Sequence, residues 1–136
     1  MNKIEYTKNP ATSDIDFLTK QINQENSEYG EAYPFAFFMR DDAAKIIAGA
    51  NGFILYGKIY TDQLWVDKQY RKQGIARKLM SKVHELGKEK NCTMATISTM
   101  SFQNAVQFYE KLGYQKDFER FGHIQNSSCI FMRKAL

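Results

Sequence analysis

Cysteine and histidine are scarce in this sequence: two of each among 136 residues. Cys92 and Cys129 lie far apart, with no C-x-x-C and no metal-ligand spacing to His84 or His123. That pattern excludes a recognisable zinc site or disulfide framework and suits reduced thiols in a cytoplasmic protein. Long apolar runs are missing, so no stretch reads as a membrane span. Met1-Asn2-Lys3-Ile4-Glu5 lacks the apolar core of a signal peptide. No Gly-Lys-Ser/Thr follows the chain's glycine turn, which argues against a nucleotide P-loop. Repeats, low-complexity stretches and linkers are also lacking.

Aromatic residues, by contrast, are plentiful, with ten Phe and eight Tyr. A hydrophobic share of 43% and a charged share of 25% suit one globular domain with a dense core. The net charge is +4 and the isoelectric point lies near 9.0. Where the charge sits matters more than its sum. Lys68, Arg71, Lys72, Arg77 and Lys78 gather around Gly74, whereas Asp14, Asp16, Glu25, Glu28 and Glu31 make the N-terminal third acidic. Charge focused on one turn suits a small anionic ligand. It argues against nucleic acid, which would need a basic stripe with exposed aromatics.

The apolar spacing predicts the order β-α-β-β-β-α-β-α-β-β. Residues 2–6 read as a first strand. Ser13 and Asp16 read as a capping box for a helix carrying Ile15, Leu18 and Ile22 at helical spacing. That helix fades near Asn26, in a polar stretch ending at Gly30. Phe35 to Met39 and Lys45 to Tyr56 read as a hairpin turning at Asp41-Asp42, with Gly49 and Gly52 as bulge or turn points. Ile59 to Val66 is the next strand. A helix from Ile75 to Lys90 carries Ile75, Leu79, Val83 and Leu86 on one stripe, with Lys78, Lys82, Glu85 and Glu89 toward water. Thr93 to Thr99 reads as a buried strand. Ala105, Phe108, Tyr109 and Leu112 share a helix face that Gly113 terminates, and strands around 115–120 and 128–133 follow. Helices over a mixed sheet make this an α/β or α+β fold.

The segment Arg71-Lys72-Gln73-Gly74-Ile75-Ala76-Arg77 joins the strand ending Leu64-Trp65-Val66 to the longest amphipathic helix. A helix start carries unpaired N–H groups and the positive end of the helix dipole, so it is a ready anion site. Glycine lets a ligand approach the backbone closely. A diphosphate is the expected guest.

These residues resemble the GCN5-related N-acetyltransferases, which use acetyl-CoA. Arg71-x-x-Gly74-x-Ala76 is similar to that family's pyrophosphate loop. Ala105-x-x-Phe108-Tyr109-x-Lys111-x-Gly113-Tyr114 is similar to its second signature, and Thr99-x-Ser101-Phe102-Gln103 to a run found in a subgroup. The resemblance implies one domain over residues 1–136. Its central mixed sheet would have six to seven strands, with a splayed parallel pair, flanked by helices. One departure stands out. Many members carry Asn seven residues before the signature Tyr, where this chain has Phe102. Gln103 and Asn104 lie beside it, and Asn104 is carried over as the cofactor's amide partner.

The resemblance further implies direct acetyl transfer to a primary amine in a ternary complex, with a small molecule as acceptor. The backbone from Gln73 to Arg77 would cradle the diphosphate, with charge from Arg71, Lys72 and Arg77. The pantetheine arm would insert between the strands of Ile59–Val66 and Thr93–Thr99, beside Leu64, Trp65 and Val66. Unpaired strand-edge donors there would be satisfied by the ligand. The Val66 N–H would face the developing oxyanion. Phe108 and Tyr109 would border the cofactor, with Tyr109 as acid toward the leaving thiolate. An alkyl ammonium has a pKa of about 10.4 and must lose a proton before attack. Strand alternation places Tyr60, Asp62, Leu64 and Val66 on one face, which makes Asp62 the candidate base, directly or through water. The polar stretch Asn23 to Glu31 would border the acceptor, and Phe121, His123 and Gln125 would close the other wall. His84 reads as a surface residue. Relatives often pair through their last strands, so a homodimer follows by analogy. Two other readings remain open at this point: a protein lysine or N-terminal acetyltransferase, and a non-catalytic acyl-CoA sensor.

Overall fold

The computed structural model of the chain describes residues 2–136. It contains one six-stranded sheet in the order β1-β2-β3-β4-β6-β5. Strands β1 (Tyr33–Arg40), β2 (Ile46–Leu55) and β3 (Lys58–Val66) form an antiparallel meander. Its first turn is held by Asp41, whose Oδ1 accepts from the N–H groups of Ala43 and Lys45. The second needs left-handed backbone at Tyr56 and Gly57, as a two-residue hairpin does. Helix α2 (Ile75–Glu89) then crosses to β4 (Met94–Met100), which runs parallel to β3. Helix α3 (Val106–Lys111) leads to the closing hairpin of β5 (Gln115–Arg120) and β6 (Cys129–Ala135).

The core lies between the sheet and α2. Ile59, Met80, Val83, Ile97 and Met132 are almost wholly enclosed there. The α2 stripe expected from spacing is present, with Ile75, Leu79 and Val83 buried and Leu86 packed against them. Met80 and Gly87 join it. Gly87 lets the helix sit on Ile59, where an added Cβ would come within 2.8 Å of that side chain.

Two expectations fail at the N-terminus. Residues 2–6 pair with no strand among the described residues, and Ile4 is 102% and Tyr6 88% exposed. Helix α1 (Thr12–Glu25) starts after Ala11 with no side-chain cap, so Ser13 lies inside it and forms no capping box with Asp16. Ile15, Leu18 and Ile22 do share a stripe, yet α1 buries none of its residues. The fold class stands, with six strands and one helix unpacked. Among the described residues no helix is long and apolar enough to cross a membrane.

Candidate active site

Strands β3 and β4 pair only from Lys58–Met94 to Thr61–Ile97. Beyond that point β4 stays with β6 and β3 with β2, so the parallel pair splays open. Asp67 donates its N–H to Ile47 O at 2.8 Å, toward β2. Successive strand residues turn their N–H groups to opposite edges, so those of Val66 and Leu64 face the splay.

A β-bulge sits at the head of the splay. Asn51 opposes Gln63 and Gly52 opposes Thr61, leaving Asp62 as the extra residue of β3. Gly52 makes this approach feasible, because a Cβ there would lie 1.8 Å from the Tyr60 carbonyl oxygen. The bulge corrects the expected alternation. Ile59, Thr61 and Val66 are buried and Leu64 is half-buried against the core, while Asp62 and Gln63 are exposed. Asp62 therefore shares a face with Tyr60, not with Leu64 and Val66. Tyr60 Oη donates to Asp62 Oδ1 at 3.4 Å and lies 3.1 Å from Ser98 Oγ. Alternation along β4 could have singled out Ser98, but nothing local pairs it with Tyr60.

The turn between β3 and α2 is built as a nest of donors. Lys72 has φ 64° and Gly74 φ 81°, both left-handed. The first helical bond runs from Lys78 N to Gly74 O at 3.1 Å. Among the described residues no acceptor takes the N–H groups from Lys72 to Arg77. Gly74 faces open space, since an added Cβ would meet nothing within 4 Å. Arg71 turns back and donates from Nε to Val66 O at 2.8 Å. A cavity of about 500 Å³ borders this turn, and Gly74, Ile75, Ala76 and Arg77 line it together with Asn104 and Phe108. A second, also about 500 Å³, lies in the splay beside Asp62, Leu64, Trp65, Ser98 and Tyr109. Arg71 lines both. Lys111, one turn of α3 from Phe108, adds a further cation to the first.

The loop after β4 separates two neighbouring amides. Gln103 Oε1 accepts from Met100 N at 2.8 Å and Thr99 Oγ1 at 3.0 Å, so its side chain pins the turn. Asn104 sits left-handed at φ 54° and its side chain has no protein partner among the described residues. Phe102 is exposed. Tyr109 lies with its ring edge against Phe108, at 5.1 Å, and Tyr114, at 5.6 Å. Burial pushes its phenol up to about 12.

Three placements depart from expectation. Glu25, Glu28 and Glu31 do not line the splay. Glu31 borders a separate cavity between α1 and β1, where Asn23 exchanges two 2.8 Å hydrogen bonds with Ala32. Phe121, His123 and Gln125 are exposed at the last hairpin and do not reach the splay either. His84 is half-buried, because α2 lies flank-on to Tyr114. Its Nε2 is 2.8 Å from Tyr114 Oη.

A mixed sheet with a parallel pair prised apart, next to a glycine turn rich in free donors, defines an acyl-carrier transferase fold. The family model described as "Acetyltransferase (GNAT) domain" matches residues 34–116, and the chain belongs to that family, whose cosubstrate is acetyl-CoA. Among curated proteins it is 33% identical over 78 residues to acetyltransferase Atu2258 of Agrobacterium fabrum. That match covers 57% of this chain and 56% of the relative, little more than half of its length. An acetyltransferase from Bacillus cereus shares the fold with TM-score 0.75 at 24% identity, covering 97% of this chain and 98% of that one. A Bacillus anthracis protein assigned as a streptothricin acetyltransferase, solved with acetyl coenzyme A, aligns at TM-score 0.68 and 21% identity. That alignment covers 81% of this chain and 67% of the other.

Proposed function

We propose that the protein transfers the acetyl group of acetyl-CoA directly to a primary amine, and that the acceptor is a small cationic molecule. One observation carries this reading: Arg71 lines both the donor-rich turn and the splay, so a single extended ligand can run from one to the other. The diphosphate would rest on the N–H groups of Gln73 to Arg77, with Lys72 and Arg77 nearby and the Asn104 amide opposite. The pantetheine arm would take the strand-edge groups of Leu64 and Val66 beside Trp65 and Phe108.

Asp62 accepts the proton of the incoming ammonium, directly or through water, with Tyr60 and Ser98 holding it in place. The neutral nitrogen attacks the thioester carbonyl, whose oxygen gathers charge facing the Val66 N–H. The C–N bond forms as the C–S bond breaks. Tyr109 donates its proton to the departing sulfur. A phenol held near 12 is protonated throughout the neutral range. The desolvation that lifts it also lifts a thiol beside it, whose ordinary pKa is about 8.5. The exposed carboxylate of Asp62 at the mouth of the splay favours a cationic amine over a neutral one.

Thiol release from acetyl-CoA over a panel of primary amines tests the proposal. At least one small amine is expected to release thiol well above the rate with water. A melting-temperature rise with acetyl-CoA but no turnover on any amine would favour a sensor. An equal rise with ATP or NAD would reject the cofactor assignment. Turnover confined to peptides would move the acceptor to protein.

A further inference from the structure

Two features of this chain lack partners of their own, and each fits the other. The first is residues 2–25. Ile4 and Tyr6 alternate as in a strand yet pair with none. Ile15, Leu18 and Ile22 form an apolar stripe on α1 that is 47%, 57% and 50% exposed. The second is the sheet face opposite α2. An aromatic row crosses it from Phe53 on β2 through Tyr60 and Phe131 to Phe118 on β5, while Phe38 on β1 covers Gly49 farther along the same face; Phe38, Phe53 and Phe118 are each about half exposed. A mostly apolar groove of about 300 Å³ opens in this row between Phe53, Tyr60, Thr96 and Phe131. The outer edge of β1 also carries no strand among the described residues.

An open edge, a bare aromatic face and an apolar stripe of this extent are not left to water in a stable protein. The helix is held away from its own sheet. Asn23 clamps the end of α1 to Ala32 through two hydrogen bonds. The stripe lies about a quarter-turn around the helix from Asn23. The charges match between the two surfaces. Asp14 and Glu25 border one edge of the stripe, whereas Arg40 stacks 5.6 Å from the Phe38 ring, Arg120 stacks 5.3 Å from Phe118, and Lys58 borders the groove. None of these five has an ion-pair partner among the described residues; of the carboxylates on the sheet face, Asp117 is taken by Arg133 and Asp62 accepts from Tyr60 at the splay.

We propose that the protein is a homodimer that exchanges its N-terminal arm: residues 2–6 add to the open edge of the partner's β1, and the apolar stripe of α1 covers the partner's aromatic face. Each copy gives what the other lacks, as a two-fold assembly requires. Tyr60 belongs both to the covered row and to the Asp62 cluster. The partner's helix thus forms a wall of the acceptor side, and the site is complete only in the dimer.

Sedimentation equilibrium of the intact chain at micromolar concentration, with and without Leu18→Glu, Ile22→Glu and Phe53→Glu, tests this. The unaltered chain is expected at twice its mass. Each substitution is expected to weaken association about a hundredfold, equal to about 2.8 kcal/mol, while the melting-temperature rise with acetyl-CoA persists and shows that the variant is folded. Deleting residues 2–10 should weaken association in the same way. A monomeric unaltered chain would overturn the proposal, whether its helix had closed on its own sheet or awaited another protein. A dimer that survives all the substitutions would overturn it too, since it would pair through another surface.

Discussion

Arg71 donates from Nε to the carbonyl oxygen of Val66 at 2.8 Å. This bond ties the donor-rich turn to the last residue of β3, the strand whose edge opens the splay. It leaves the Nη groups free for an anion and fixes the direction in which the nest points.

Gly74→Glu is expected to abolish the melting-temperature rise with acetyl-CoA. The substitution sets a negative side chain in the open space beside the nest and strains a residue at φ 81°. Thermal denaturation with and without acetyl-CoA checks it, and an unchanged rise would detach this turn from the cofactor.

Tyr109→Phe is expected to lower kcat about a hundredfold or more, the usual weight of a positioned acid. Acetyl-CoA affinity should change little, since the ring that packs on Phe108 and Tyr114 is retained. Steady-state kinetics beside calorimetry separates the two quantities. Unchanged turnover would make Tyr109 a core residue only.

Asp62→Asn is expected to lower kcat/KM below the amine's own pKa and to raise the pH at which the rate levels off. Without the carboxylate, only amine already neutral in solution can attack. A pH–rate profile over pH 6–10 that superimposes on that of the unaltered chain would point to water alone as the proton's route.

Gly52→Ala is expected to destabilise the fold by about 2 kcal/mol or more, as overpacking does. Its Cβ would lie 1.8 Å from the Tyr60 carbonyl, so β2 and β3 must part at the bulge. Urea unfolding measures the loss. Turnover should fall too, because the bulge sets where Asp62 points.

His84 links stability to acid. Burial, then the charges of Lys134 and Lys88, lower its pKa from 6.5 to about 4. The folded chain keeps the ring neutral beside Tyr114 Oη, whereas the unfolded chain takes up the proton near its ordinary value. The contribution is therefore full above pH 6.5 and is lost as pH falls through about 4. His84→Gln should flatten urea-unfolding stability across that window. An equally steep loss in the variant would assign the effect to other groups.

Much of the candidate site's local geometry could be read along the chain because its parts are local. The sequence from Arg71 to Arg77 stands between an apolar strand and an amphipathic helix whose start has no side-chain cap, and three or four residues determine whether backbone donors are left free there. The stripe Ile75, Leu79 and Val83 and the stop at Gly113 follow from helical spacing and from one residue's tolerance of positive φ. The family signatures fall within these same short stretches. The roles of Gln103 and Asn104 did not, because both are amides one residue apart. Only the path of the loop lets Gln103 pin Met100 and Thr99 while Asn104 faces the cavity.

Helices, turns and the donor-rich bend thus came from the order of residues alone, since each rests on contacts between near neighbours in the chain. The tertiary structure decided the rest: the bulge that turns Asp62 toward Tyr60, the half-buried place of His84 against Tyr114, and the bare N-terminal helix. Those outcomes depend on strand register and on surfaces brought together from distant segments, and alternation read along one strand cannot foresee an extra residue demanded by its neighbour.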